Sequence, residues 1–228
     1  MSFRFKQFFI EDAKCAMKVG TDGVLLGAWC PTGTRILDVG TGSGLIARML
    51  MQRCPEADVE GIDIDDVAVE QACENGVRAF QARLQDWRLE IEDYYDLIVS
   101  NPPYFQNSLK NPDEGRKTAR HTDTLSYEEL VKHSARLLSE DGQLALILPA
   151  EAEAEVRQLA AAEGLYPTRV TRVYSKENKK PKRVLFAFKR TQTISLTEHR
   201  TQTDTLVLED EKGGRSAAYS ELCREFYL

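Results

Sequence analysis

The segment Arg35-Ile36-Leu37-Asp38-Val39 passes directly into Gly40-Thr41-Gly42-Ser43-Gly44 and then into Leu45-Ile46-Ala47-Arg48-Met49-Leu50-Met51. The first run reads as an apolar strand, the last as a helix, and the glycines as the turn between them. Glycine lets the backbone approach a ligand closely, and the helix beyond points free N–H groups at negative charge. A chain organised around such a unit is an α/β chain with a ligand site at one end of its strands.

The next apolar stretch, Asp58 to Asp63, ends in a carboxylate about 20 residues past the glycines, the separation at which an acid reaches ribose hydroxyls in dinucleotide-type sheets. Asp65 to Phe80 reads as a helix opened by acids, and Ala82 to Gln85 as a short strand. Asp86 and Trp87 follow, either as a grip for a flat base or as a surface acid beside a half-buried ring. Tyr95 to Ser100 is a strand buried on both faces, stopped by Asn101-Pro102-Pro103-Tyr104 because neither proline has an N–H for a ladder. The Asn101 amide oxygen and the Pro102 carbonyl are acceptors beside the Tyr104 ring, a corner suited to a planar NH2 group. Taken alone, the four residues also read as a plain strand-terminating turn.

Before the glycine unit, Phe3 to Ile10 alternates like an edge strand, and Gly20-Thr21-Asp22-Gly23 reads as a loop entering a short helix. Phe105 to Thr124 reads as a loop over the site, carrying Arg116, Lys117, Arg120 and His121, the last either a proton acceptor or a solvated loop histidine. Ser126 and Glu129 form a capping box for a helix to about Leu138. A strand from Gln143 to Leu148 and a helix from Glu151 to Glu163 follow. Tyr166 to Tyr174 and Val184 to Lys189 read as strands joined by the most basic stretch, which holds Lys179, Lys180, Lys182 and Arg183. Thr205 to Leu208 is a further strand, and Ser216 to Phe226 a short helix. The order predicts a mostly parallel seven-stranded sheet with helices on both faces and the last strand antiparallel. Residues 1–34 are expected to form a lead-in packed on the ligand site, 35–190 the main domain and 191–228 its extension.

The chain has 228 residues and a net charge of −6. That balance excludes a surface coated in positive charge, so a nucleic acid would have to meet a local basic patch. No run approaches a membrane span and the start lacks a signal-peptide pattern, so a soluble, cytoplasmic protein is expected. The five cysteines include no Cys-x-x-Cys pair and read as buried reduced thiols; the three histidines are too scattered for a metal site. A monomer is the expectation, with the oligomeric state left open by the sequence.

From Ile36 to Arg190 the chain resembles the class I S-adenosylmethionine-dependent methyltransferases, in the amino-methyltransferase branch marked by Asn-Pro-Pro-Tyr. With Lys18 to Leu26 included, it is similar at full length to bacterial members that methylate the N6 amine of the adenine beside the anticodon of tRNA. A nicotinamide-dinucleotide site would want its third glycine at Leu45; here it stands at Gly44, which favours the methyltransferase pattern. The resemblance implies that Gly40, Gly42 and Gly44 wrap the cofactor's methionine part, with Asp38 beneath the turn near its amino group and Thr21 closing over its carboxylate. It also implies that Asp63 takes the ribose hydroxyls, Ile64 packs on the cofactor's adenine, and Asp86 accepts from that adenine's amino group beside Trp87. Asn101, Pro102 and Tyr104 would hold the substrate base, with Asn101 also bordering the cofactor. Arg116, Lys117, Arg120, Lys179, Lys180, Lys182 and Arg183 would meet tRNA phosphates, or else be solvated loop charge. Two alternatives are a protein-glutamine N5-methyltransferase, expected to need a longer lead domain than the stretch before Ile36, and a non-catalytic cofactor-binding RNA chaperone.

Overall fold

The computed structural model describes residues 2–90, 94–103, 125–190 and 201–228. Tyr104, Arg116, Lys117, Arg120 and His121 therefore lie outside the described residues. β1 (Ser2–Arg4) and β2 (Phe9–Glu11) pair antiparallel in a small sheet of their own. The single edge strand expected over Phe3 to Ile10 is thus a hairpin. Its turn closes by Phe5 N donating to Phe8 O at 2.8 Å, and the two rings stack at 4.7 Å in the core.

The main body runs α1 (Thr21–Trp29), β3 (Arg35–Val39), α2 (Leu45–Arg53), β4 (Asp58–Asp63), α3 (Asp66–Glu74), β5 (Arg78–Gln81) and β6 (Tyr95–Ser100). It continues with α4 (Tyr127–Leu137), β7 (Leu138–Pro149), α5 (Glu153–Ala162), β8 (Leu165–Tyr174), β9 (Arg183–Arg190), β10 (Gln202–Val207) and α6 (Ala217–Leu222). Among the described residues the sheet has eight strands in the order β10-β8-β9-β7-β6-β3-β4-β5, and of these β9 alone runs against its neighbours. The mostly parallel α/β fold is as the sequence predicts; the eighth strand is an addition. β8 would otherwise be an open edge, and β10 covers it in parallel register, with Asp204 paired to Arg169 and Thr171.

Alternate residues of one strand feed opposite cores, which is why the strands read as unbroken apolar runs. Leu97 and Val99 pack with α1, α2, α6 and the hairpin, whereas Ile98 packs with α4 and α5. Ile36 and Leu37 divide in the same way. The capping box appears as expected, with Ser126 and Glu129 each bonding the other's backbone at the start of α4.

Three local readings change. The helix expected over Asp65 to Phe80 stops at Glu74, because Gly76 turns the chain at φ +82° and Arg78–Gln81 joins β4 as a strand. There Arg78 bridges Asp58 at 2.7 Å and Glu60, partners a continued helix would not reach. Leu84–Asp86 is a short 3-10 turn rather than the end of a strand, and Thr21–Gly23 is the first turn of α1 rather than a loop. Among the cysteines, all free, Cys73 is exposed and Cys54 half-buried, against the expectation that all are buried. Among the described residues no helix is long and apolar enough to cross a membrane.

Candidate functional site

At the carboxyl ends of β3, β4 and β6 lies a cavity of about 670 Å³, the size class of cofactor pockets. Its floor is the glycine turn. Gly40 and Gly42 have φ of +70° and +55°, and a Cβ at either would stand in open space, so their backbone faces the opening. Gly44 differs: at φ +79° it begins α2, and a Cβ there would come within 2.7 Å of Val77 Cγ2. The turn is pinned to β4 by Gly40 N and Thr41 N, which both donate to Ile62 O.

Asp38 lies behind that turn, fully buried, and is not part of the cavity wall. Its Oδ2 accepts from Thr41 Oγ1 at 2.8 Å and from Ala47 N at 3.2 Å, while Oδ1 is buried without a hydrogen-bond partner among the described residues. Burial pushes its carboxyl up to about 7, against the opposing pull of those two donors. Asp63 does line the cavity; Oδ2 accepts from Gly42 N at 2.9 Å and Oδ1 from Asp65 N at 3.1 Å. Each oxygen keeps acceptor capacity beyond those bonds. Ile64 stands beside it, half exposed.

The far side of the cavity is the end of β6. Ser100 Oγ donates to Val39 O at 2.8 Å, locking the ends of β6 and β3 together, and Asn101 and Pro102 follow in the wall. The wall also includes the segment from Cys15 to Gly23, of which sequence reasoning chose Thr21 and its neighbours. It supplies Met17, whose Sδ lies 3.9 Å from Asn101 Nδ2, and the first turn of α1, whose backbone N–H groups lack intrahelical acceptors.

The structure thus brings Thr21, Gly40, Gly42, Asp63, Ile64, Asn101 and Pro102 to one opening. Asp86 and Trp87 are not in its wall; Leu84 and Gln85, just before them, are. Asp86 is exposed, and Trp87 is drawn beneath by a polar cluster: its Nε1 donates to Tyr95 OH at 2.9 Å, which donates to Glu60 Oε2 at 2.7 Å. Arg88, at an unusual backbone φ of +48°, donates from Nη2 to both carboxylate oxygens of Glu60 at 2.8 and 2.9 Å, and Arg136 donates to Trp87 O at 2.8 Å.

Lys179, Lys180 and Lys182 are exposed around a second, open hollow that also includes Glu151 and Arg183. Arg183 differs from the lysines, because its Nε donates to Asp22 Oδ2 at 2.8 Å and Asp22 lines the main cavity. Its charge is balanced in place, and it ties the basic loop to the cavity rim.

The family described as "Methyltransferase small domain" matches residues 19–161. The chain is 46% identical over 99% of its length to a tRNA1(Val) (adenine(37)-N6)-methyltransferase of Bacteroides fragilis, covering 97% of that protein. It is 44% identical, with the same shares covered, to the protein of that name from Parabacteroides distasonis. Among solved structures, a protein described as a predicted O-methyltransferase from Agrobacterium tumefaciens superposes with a TM-score of 0.68 at 17% identity, over 90% of this chain and 96% of that one. A ribosomal protein L11 methylase from Lactobacillus delbrueckii does so with 0.56 at 18%, over 79% and 83%, and both likenesses speak for the fold alone. With full-length identity this high, the chain belongs to the methyltransferase small-domain family and, within it, to the tRNA1(Val) (adenine(37)-N6)-methyltransferases.

Proposed function

We propose that the protein transfers a methyl group from S-adenosylmethionine to the exocyclic N6 amine of adenine 37 in tRNA1(Val). The observation that carries this reading is the single cavity that joins the glycine turn after β3 to the Asn101–Pro102 corner after β6. A methyl donor and an amine acceptor must share one space.

The residues present fit the cofactor. Gly40 and Gly42 leave room where side chains would otherwise intrude, and the first turn of α1 offers N–H donors to a carboxylate. Asp63 has acceptor capacity for ribose hydroxyls, Ile64 an apolar face for a ring, and Asp38 a buried carboxyl that fastens the turn from behind through Thr41 and Ala47. Leu84 and Gln85 take the wall position given by sequence to Asp86 and Trp87. Bound there, S-adenosylmethionine supplies an electrophilic methyl carbon and departs as a neutral thioether.

An adenine amine is a poor nucleophile because its lone pair is delocalised into the ring. Asn101 Oδ1 and the Pro102 carbonyl accept its two hydrogens out of the ring plane, so the nitrogen becomes pyramidal and its lone pair turns toward the cofactor side. Tyr104 provides the stacking face. Held geometry of this kind contributes on the order of 7 kcal/mol or more. The methylated amine is strongly acidic while cationic and loses its proton to solvent, so no buried base is required. An anticodon-loop base is already partly unstacked, and turning it into the corner costs about a few kcal/mol.

Incubation with labelled cofactor and tRNA1(Val) transcript, followed by digestion to nucleosides, is expected to yield labelled N6-methyladenosine, and none from a transcript with guanine at position 37. Asn101→Ala is expected to lower the rate by about 10²-fold. An unlabelled transcript from the wild-type protein overturns the reading.

A further inference from the structure

Met17 is half exposed, yet it is not surface decoration on a slack loop. Its neighbours are fastened on every side. Lys18 Nζ donates to the carbonyls of Asp12, Ala13 and Cys15 at 2.7, 3.1 and 2.8 Å, gathering three carbonyls of one short stretch around one ammonium. Asp12 Oδ2 accepts from Val19 N at 3.0 Å, and Cys15 is buried in the protein. Lys14 bridges Glu70 and Glu74 of α3 at 3.2 and 2.7 Å. On this braced strap Met17 is 50% exposed and forms part of the cavity wall, with its sulfur 3.9 Å from the Asn101 amide nitrogen. A lone exposed apolar side chain is ordinary on a surface, but this one is held in the cavity wall beside the polar corner, where a bound ligand would cover it.

We propose that Met17 is a substrate-contacting residue whose thioether packs against the target base held at Asn101 and Pro102. The inference rests on the methyl-transfer reading given above. The sulfur touches the nitrogen of the same carboxamide whose oxygen accepts from the amine, so Met17 and the base held at that oxygen share one side chain as their common neighbour. Thioethers pack well against aromatic rings, and the unbranched chain adapts to the ring's edge. The strap removes most of the backbone freedom that would otherwise be lost on binding, so the contact is available before the base arrives.

The test compares the wild type with Met17→Ala and Met17→Leu on tRNA1(Val) transcript, with S-adenosylmethionine affinity measured separately by calorimetry. Met17→Ala is expected to lower kcat/KM for the transcript about tenfold, Met17→Leu to recover most of it, and cofactor affinity to stay within about twofold in both. Melting temperatures of the variants should match the wild type, since the side chain is half in water. A Met17→Ala enzyme with unchanged kcat/KM overturns the proposal, as does a loss seen wholly in cofactor affinity, which would place Met17 against the cofactor. A wild type that transfers no methyl overturns the parent reading and this one with it; an active wild type matched by its alanine variant overturns this one alone.

Discussion

Asp38 keeps a carboxyl out of water in order to fasten Thr41 and the start of α2, and one of its oxygens finds no partner among the described residues. Its folded carboxyl holds its proton up to about pH 7, whereas in the unfolded chain it ionises near pH ~4. The stability this group contributes is therefore complete below about pH 4 and is lost as the pH rises to about 7. Denaturant unfolding of wild type and Asp38→Asn is expected to show the wild type relatively more stable at pH 4.5 than at pH 8, by on the order of a few kcal/mol. Equal differences at the two pH values would sink the assignment. At this scale the glycines and Asn101 were legible because their chemistry is local: a positive φ and a proline-stopped strand leave marks in adjacent letters. The bond from Arg183 to Asp22 joins residues 161 positions apart, and nothing in either neighbourhood announces it. Met17 escaped for a related reason, since one apolar residue in a polar loop has no period to betray it.

Between β5 and β6 the segment around Trp87 crosses the sheet face with one 3-10 turn and no α-helix among its described residues, held by hydrogen bonds to a charged cluster. Tyr95 is the hinge pin of that arrangement, accepting from Trp87 and donating to Glu60. Tyr95→Phe leaves the indole N–H and one carboxylate oxygen each short of a partner, and is expected to cost about 1–3 kcal/mol in equilibrium unfolding. A change below about 0.5 kcal/mol would show that the hydroxyl holds nothing there. The sequence placed Asp86 and Trp87 at a strand end facing the ligand because it had no means of seeing Glu60 behind them. The helix overrun to Phe80 has the same origin. Helical spacing continues past Gly76, but cross-strand ion pairs from Arg78 to Asp58 and Glu60 favour the sheet. The elements that were read well, such as β6 and α4, are those fixed by burial period or a capping box, both internal to the element.

For the molecule as a whole, a net charge of −6 leaves tRNA binding to local features. Lys179, Lys180 and Lys182 are exposed around the second hollow, while Arg183 is committed to Asp22. Replacing the three lysines with alanine is expected to weaken tRNA binding and flatten the plot of log affinity against log salt by about 0.7–0.9 per lost phosphate contact, leaving S-adenosylmethionine affinity unchanged. An unaltered slope would remove the loop from the RNA interface. The α/β class and the parallel sheet were legible from the repeated strand–helix order, and so was a strand at Thr205 to Leu208, but its joining the sheet depended on an open edge of β8 that only the assembled sheet possesses.

The carboxamide of Asn75 joins parts of the chain that look unrelated on paper. Its nitrogen donates to Glu11 O at 2.7 Å and Ser43 O at 2.8 Å, and its oxygen accepts from Glu11 N at 3.0 Å. The front hairpin and the phosphate-loop-like glycine bend are thus buttoned to a single amide. Anyone trimming the first dozen residues, or fusing a bulky tag there, would be loosening the cofactor's seat from behind without touching a single atom that faces it.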